Sequence, residues 1–232
     1  MSLLEFEMPI PPRKEDQLFR DDLPDWRTTA RVNTSSWADP KNGYMEGYRR
    51  AAHVLVDHVA DRGHDRDVLV YPIIFLYRHH IELTLKSIIL QLPYLLDKPL
   101  IETEKRLAMQ SHKLDELWQL LKPKLEAVCE TVGWDKLQKT DIEGIDCYIR
   151  QLTTYDPNSF SFRYAYSTKG DPSLPDKLRG INLRHFAEMM ERLANFLDSW
   201  DTALGEVIEN KSEMEADMRA EWADYSDYGD YL

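Results

Sequence analysis

The sequence predicts a mainly α-helical protein, a bundle of about five helices with one short β-hairpin excursion. Three observations predict it. Apolar residues recur at spacings of three and four over most of the chain between residues 42 and 208, the signature of amphipathic helices. Glycine is scarce, 9 of 232 residues, too few for a turn-rich all-β fold. The apolar period shortens to two in one place, Phe160, Phe162, Tyr164 and Tyr166.

Residues 1–40 are polar and punctuated by Pro9, Pro11, Pro12, Pro24 and Pro40. They form either an extended arm anchored by Trp26 and Trp37 or a mostly disordered tail. The first helix is expected from about Asn42 to Asp61, with Tyr44, Tyr48, Ala52, Leu55 and Val59 on one stripe and Gly63 ending it. The second is expected to begin near Pro72, a residue suited to a first helical turn, and to stop at Pro93. Ile74, Tyr77, Ile81, Leu85, Ile88 and Leu92 form one apolar face; Leu76, Leu83 and Leu90 form much of another. A helix apolar on two faces belongs at the centre of its bundle.

Residues 93–110 read as a loop with at most one short turn. Ser111 then offers an N-cap hydroxyl to a helix whose stripe is Leu114, Leu117, Leu121 and Leu125. Pro123 is expected to bend or split that helix. A further helix spans about Asp141 to Thr154, with Ile145, Tyr148, Ile149 and Leu152 inward. After the alternating segment, Thr168-Lys169-Gly170-Asp171-Pro172 makes a turn, hence the expected hairpin near 160–175. Asn182 is the N-cap of a long last helix, where Phe186, Met190, Leu193, Leu197, Trp200, Leu204 and Ile208 step by four and three. That stripe is either core or a dimer seam, with core favoured.

From Glu209 the chain turns acidic: eight carboxylates oppose Lys211 and Arg219, which accounts for half of the net charge of −12. Met214, Met218, Trp222 and Tyr225 share a helical face there, and Asp224-Tyr225, Asp227-Tyr228 and Asp230-Tyr231 repeat a dipeptide. Residues 1–40, 41–208 and 209–232 therefore read as an N-terminal arm, a helical domain and an acidic aromatic tail. The tail is either solvated or docks through Trp222, Tyr225, Tyr228 and Tyr231 into a basic apolar groove, on a protein partner or on the chain itself.

Net acidity argues against a broad, sequence-independent grip on nucleic acid, but not against a small local basic site. Two cysteines, Cys129 and Cys147, read as reduced thiols of a cytoplasmic protein, without a disulfide framework. No secretory signal and no uncharged membrane-length apolar run is visible. No paired CxxC element supports structural zinc, and no phosphate-loop, dinucleotide or zinc-protease motif implies a cofactor. His79 and His80 point to different sides of a helix, and His53, Asp57 and His58 lack a three-ligand face, so no metal is expected.

Arg78, Glu82 and Lys86 lie four apart along one side of the second helix. They make either an ion-pair ladder on a wetted face or a polar patch that meets a ligand. His112 stands at the mouth of the Ser111 helix, where it serves capping and packing or belongs to that patch. Arg163 and Tyr164 pair a cation with an aromatic ring.

The ordered set resembles the HEPN helical-domain superfamily over roughly residues 44–204. Glu82 and Lys86 match its early Glu–Lys pair, His112 and Leu114 its His-x-Leu element, and Arg163 and Tyr164 its Arg-Tyr pair. The resemblance implies a homodimer and RNA- or nucleotide-linked work in a prokaryotic stress, toxin–antitoxin or phage-defence system. Active members are metal-independent ribonucleases that use an arginine and a later histidine. Histidine titrates near neutrality and moves the 2′-hydroxyl proton; arginine's fork neutralises phosphoryl oxygens. Arg106/His112 and Arg179/His185 both have suitable spacing; only Arg179 and His185 sit at the start of a late helix. Gly180 follows Arg179 where the family commonly has a polar residue. Leu114 and Ala187 stand where some members carry a tyrosine that receives a nucleotide. The leading expectation is a non-catalytic or regulatory binding module; the rival is an endoribonuclease with Arg179 and His185 as its catalytic pair.

Overall fold

The computed structural model describes residues 12–14, 18–19, 27–32 and 40–229. The chain divides into two units, Met1–Pro40 and Lys41–Leu232. In the first, the described residues before Pro40 form neither helix nor strand, and Leu18, Phe19 and Val32 are exposed. The proposed anchors Trp26 and Trp37 lie outside the described residues, as do Tyr231 and the side chains of Tyr225 and Tyr228.

The second unit is all-α. Its helices are α1 (Pro40–Arg62), α2 (Arg66–Leu95), α3 (Glu102–Gln110), α4 (Leu114–Val132), α5 (Lys139–Tyr155) and α6 (Leu183–Gly229). α2 is the central element and packs on α3, α4 and α6. Its predicted first face is buried throughout, from Ile74 and Tyr77 to Ile88 and Leu92. The second face is shallower: Leu76 and Leu83 are half-buried and Leu90 is exposed.

Both prolines expected to bound α2 lie inside it. A proline within a helix costs about 3 kcal/mol, because it removes one donor and crowds the preceding turn. Each large apolar side chain that α2 buries returns about 1.5–3 kcal/mol, so tertiary burial decides the helix length. α4 likewise runs through Pro123 as one helix. Where a loop was expected before residue 110, α3 forms; the Glu104 carboxylate accepts the Ile101 N–H at 3.1 Å and closes its first turn. Ser111 is not the N-cap of α4. Lys113 holds that position, and the Ser111 hydroxyl accepts the Lys113 N–H at 3.1 Å.

The β-hairpin is not present; among the described residues there is no strand, only an isolated antiparallel bridge between Tyr166 and Pro172. The reason is where the backbone donors go. Asp156 Oδ1 accepts the N–H groups of Phe160 and Ser161 at 2.6 and 2.9 Å, and the Phe160 carbonyl accepts those of Arg163 and Tyr164. Ser159 turns through φ 57°. The segment is wound, so its alternation of aromatics is not a pleat.

Asn182 caps α6 as expected, its Oδ1 accepting the His185 N–H at 3.0 Å. Met190, Leu193, Leu197 and Leu204 are buried in the core. α6 passes Glu209 unbroken; Lys211 reaches Asp97 at 2.7 Å and Tyr94 donates to Glu215 at 3.1 Å, tying this stretch to the end of α2. Arg49 of α1 pairs with Glu191 and Asp198 of α6. Among the described residues, no helix is long and apolar enough to cross a membrane.

Candidate functional site

Helical spacing places Arg78, Glu82 and Lys86 on one side of α2, and tertiary packing buries that side. Arg78 and Glu82 are each 1% exposed. Arg78 Nη1 donates to Glu82 Oε2 at 3.3 Å, and Lys86 Nζ donates to Glu82 Oε1 at 3.0 Å. The segment before α4 brings His112, whose Nδ1 meets the same Oε1 at 2.8 Å and whose carbonyl accepts Arg78 Nη2 at 2.7 Å. Asp156, at the C-cap of α5, completes the set, with Oδ2 3.2 Å from Arg78 Nε.

Each buried charge therefore has a partner, the condition under which such burial is tolerated. Burial alone would raise the Glu82 carboxyl; hydrogen bonds from His112 and Lys86 outweigh it and hold the group below its ordinary range. Burial lowers the Arg78 guanidinium, opposed by Asp156 and Glu82.

Arg163 joins this cluster through the wound segment. Its Nε donates to the Ser159 carbonyl at 2.5 Å, and its guanidinium lies 5.5 Å from the ring centres of Phe75 and Tyr164. Phe75 stacks on His79 at 5.5 Å, and Tyr48 meets His79 edge-on at 4.5 Å. Burial lowers the His79 imidazole. Glu82, Lys86 and His112 thus meet beside the middle of α2, and Arg163 lies next to them on the segment that Asp156 anchors, with His112, Arg163 and Tyr164 exposed.

Two cavities continue this surface. One, of about 490 Å³, is lined by Arg163 and Tyr164; the other, of about 680 Å³, by Arg66, Arg179 and Arg184. They share Tyr71, Phe162 and Leu174. Arg179 and His185 are both exposed at the amino end of α6, but His185 lines neither cavity. Trp222 is exposed near the far end of α6.

Asp156, Phe75, Tyr71 and His79 are members of this region that helical spacing did not single out. For Asp156 a signal existed: Asp156-Pro157-Asn158-Ser159 directly after a helical pattern is a side-chain-capped turn. For the three α2 aromatics there was none, since nothing local says which face of α2 borders the 160–174 segment. Among the described residues, the group whose ligand atoms lie close enough for a metal ion is His58, His64 and Asp65, outside this cluster.

No family model, no curated protein and no solved structure matches the chain.

Proposed function

We propose that this chain is a HEPN-like, non-catalytic binding module that holds a single-stranded RNA segment or a nucleotide, in a prokaryotic RNA-related stress or phage-defence system. The observation that carries this is the shared wall of the two cavities. Tyr71 and Phe162 stand between Arg163 at one end and Arg66, Arg179 and Arg184 at the other. Arginine forks suit phosphate oxygens. An aromatic ring that stacks a base contributes about 1–3 kcal/mol. The buried Arg78–Glu82–Asp156 network supports the groove by anchoring the segment that carries Phe162 and Arg163. With Asp67 in the same lining and a net charge of −12, the grip rests on a few contacts, so affinity falls with salt at a shallow slope of about 0.7 per phosphate contact.

The rival is a metal-independent ribonuclease with Arg179 as phosphate stabiliser and His185 as acid–base group. It is favoured by their common position at the amino end of α6, where the helix dipole adds positive potential. The position of His185 outside the groove lining favours binding over catalysis.

The resemblance also leads us to propose that the chain pairs with itself; the acidic charge and exposed Trp222 at the end of α6 lead us to propose, separately, that this stretch engages a protein partner.

The test is labelled mixed-sequence RNA incubated with the protein in EDTA, with Arg163→Ala, Arg179→Ala and His185→Ala alongside. The binding module predicts saturable binding without cleavage, weakened by both arginine substitutions. Cleavage abolished in His185→Ala transfers the assignment to the nuclease. Neither binding nor cleavage at high protein concentration removes RNA as the ligand.

A further inference from the structure

We propose that His58, His64 and Asp65 form a binding site for a divalent transition-metal ion of the zinc type at the turn between α1 and α2. The site does not depend on the groove above. His58 Nε2 lies 3.3 Å and His64 Nδ1 2.6 Å from the same oxygen, Asp65 Oδ2. All three ligand atoms lie within 4.8 Å of one another. The two imidazole rings lie 6.0 Å apart, centre to centre, with their planes crossed at 79°.

The spacing suits the ion. Bonds of about 2.0–2.1 Å in a tetrahedron set ligand atoms roughly 3.3–3.4 Å apart. The His58–Asp65 separation of 3.3 Å meets this already, and the His64 contact must open by less than about 1 Å, which an exposed side chain allows. Two imidazoles with one carboxylate select zinc-like ions over magnesium or calcium.

The backbone supplies a separate observation. Gly63, at φ 68°, reverses the chain after α1 and returns His64 and Asp65 to His58. Asp65 then occupies the N-cap of α2, where an aspartate ordinarily accepts a backbone N–H of the first turn. It makes no such bond; its own backbone sits at φ 63°, and its carboxylate faces the two histidines. Val54, Leu55, Val68 and Leu69 floor a cavity of about 350 Å³ beside His58 and Asp65, leaving room for a fourth, exchangeable ligand. The nearest cation on α2, Arg66, is drawn off to the Gly63 carbonyl at 3.2 Å.

The test is titration of the chelator-treated full-length protein with Zn²⁺ and with Co²⁺. We expect one equivalent bound per chain, tetrahedral Co²⁺ absorption in the visible, no Mg²⁺ uptake and a Zn²⁺-dependent rise in Tm. His64→Ala and Asp65→Asn should each weaken Zn²⁺ binding by at least about 10- to 100-fold, the loss that perturbing even an outer-sphere partner brings. Asparagine accepts the left-handed backbone of residue 65, and metal-free melting of both variants at the wild-type temperature separates ligand loss from misfolding. Absence of saturable Zn²⁺ binding, or equal binding by wild type and correctly folded variants, overturns the proposal.

Discussion

His112 Nδ1 stands 2.8 Å from Glu82 Oε1, joining a side chain that is 58% exposed to one that is 1% exposed. The histidine is the solvent-facing end of a carboxylate that α2 has drawn into the core. Through it, events at the surface reach Arg78, Lys86 and the carboxylate they share.

Removing Glu82 should therefore cost far more than removing His112. Glu82→Ala leaves Arg78 buried without one of its two carboxylates, and an expected loss is about 3–5 kcal/mol. His112→Ala keeps the backbone carbonyl that Arg78 uses, so the expected loss is about 1–2 kcal/mol. Urea unfolding of the two variants measures both values. Equal losses would show that Arg78 does not depend on Glu82.

Glu82 also sets part of the acid limit. Its folded-state pKa lies below the ordinary 4.5, so its contribution is complete above that value and is lost as pH falls through the lowered one. Glu191, held down by Arg49 and His53, and Asp146, held down by Lys122 and Trp118, act in the same sense. The pH dependence of stability below about 4.5 should flatten in Glu82→Gln. A curve parallel to wild type in that window would exclude Glu82 as a contributor.

The two halves of α6 should respond differently to truncation. Leu193→Ala opens a cavity in the core and should cost about 2–5 kcal/mol. Trp222→Ala, at a side chain 77% exposed, should stay within about 0.5 kcal/mol of wild type. Thermal melts of the pair check this, and a large loss at Trp222 would reveal packing by a second chain.

The thiols should separate cleanly. Cys147 is exposed and Cys129 is buried, with burial pushing its thiol up. A maleimide added to native protein should modify Cys147 alone, and both after unfolding, read by intact mass.

If the groove binds RNA, Arg179→Ala should reduce the slope of log affinity against log salt by about 1, the signature of one lost phosphate contact. An unchanged slope would place the phosphates elsewhere.

Much of this architecture is local chemistry. The stripes Leu114–Leu125 and Phe186–Leu204 announce helices because a helix repeats its own hydrogen bonds every turn, and the apolar period follows. The alignment of Arg78, Glu82 and Lys86 has the same origin. Sequence alone therefore determined the all-α class and the polar edge of α2. It did not determine that this edge is buried, that α2 outlasts Pro72 and Pro93, or that residues 160–164 wind around Asp156. Nor did it bring His64 and Asp65 back to His58. Those outcomes depend on where segments distant in the chain settle, since a partner for a buried charge or donor is supplied by tertiary contact and leaves no period in the sequence.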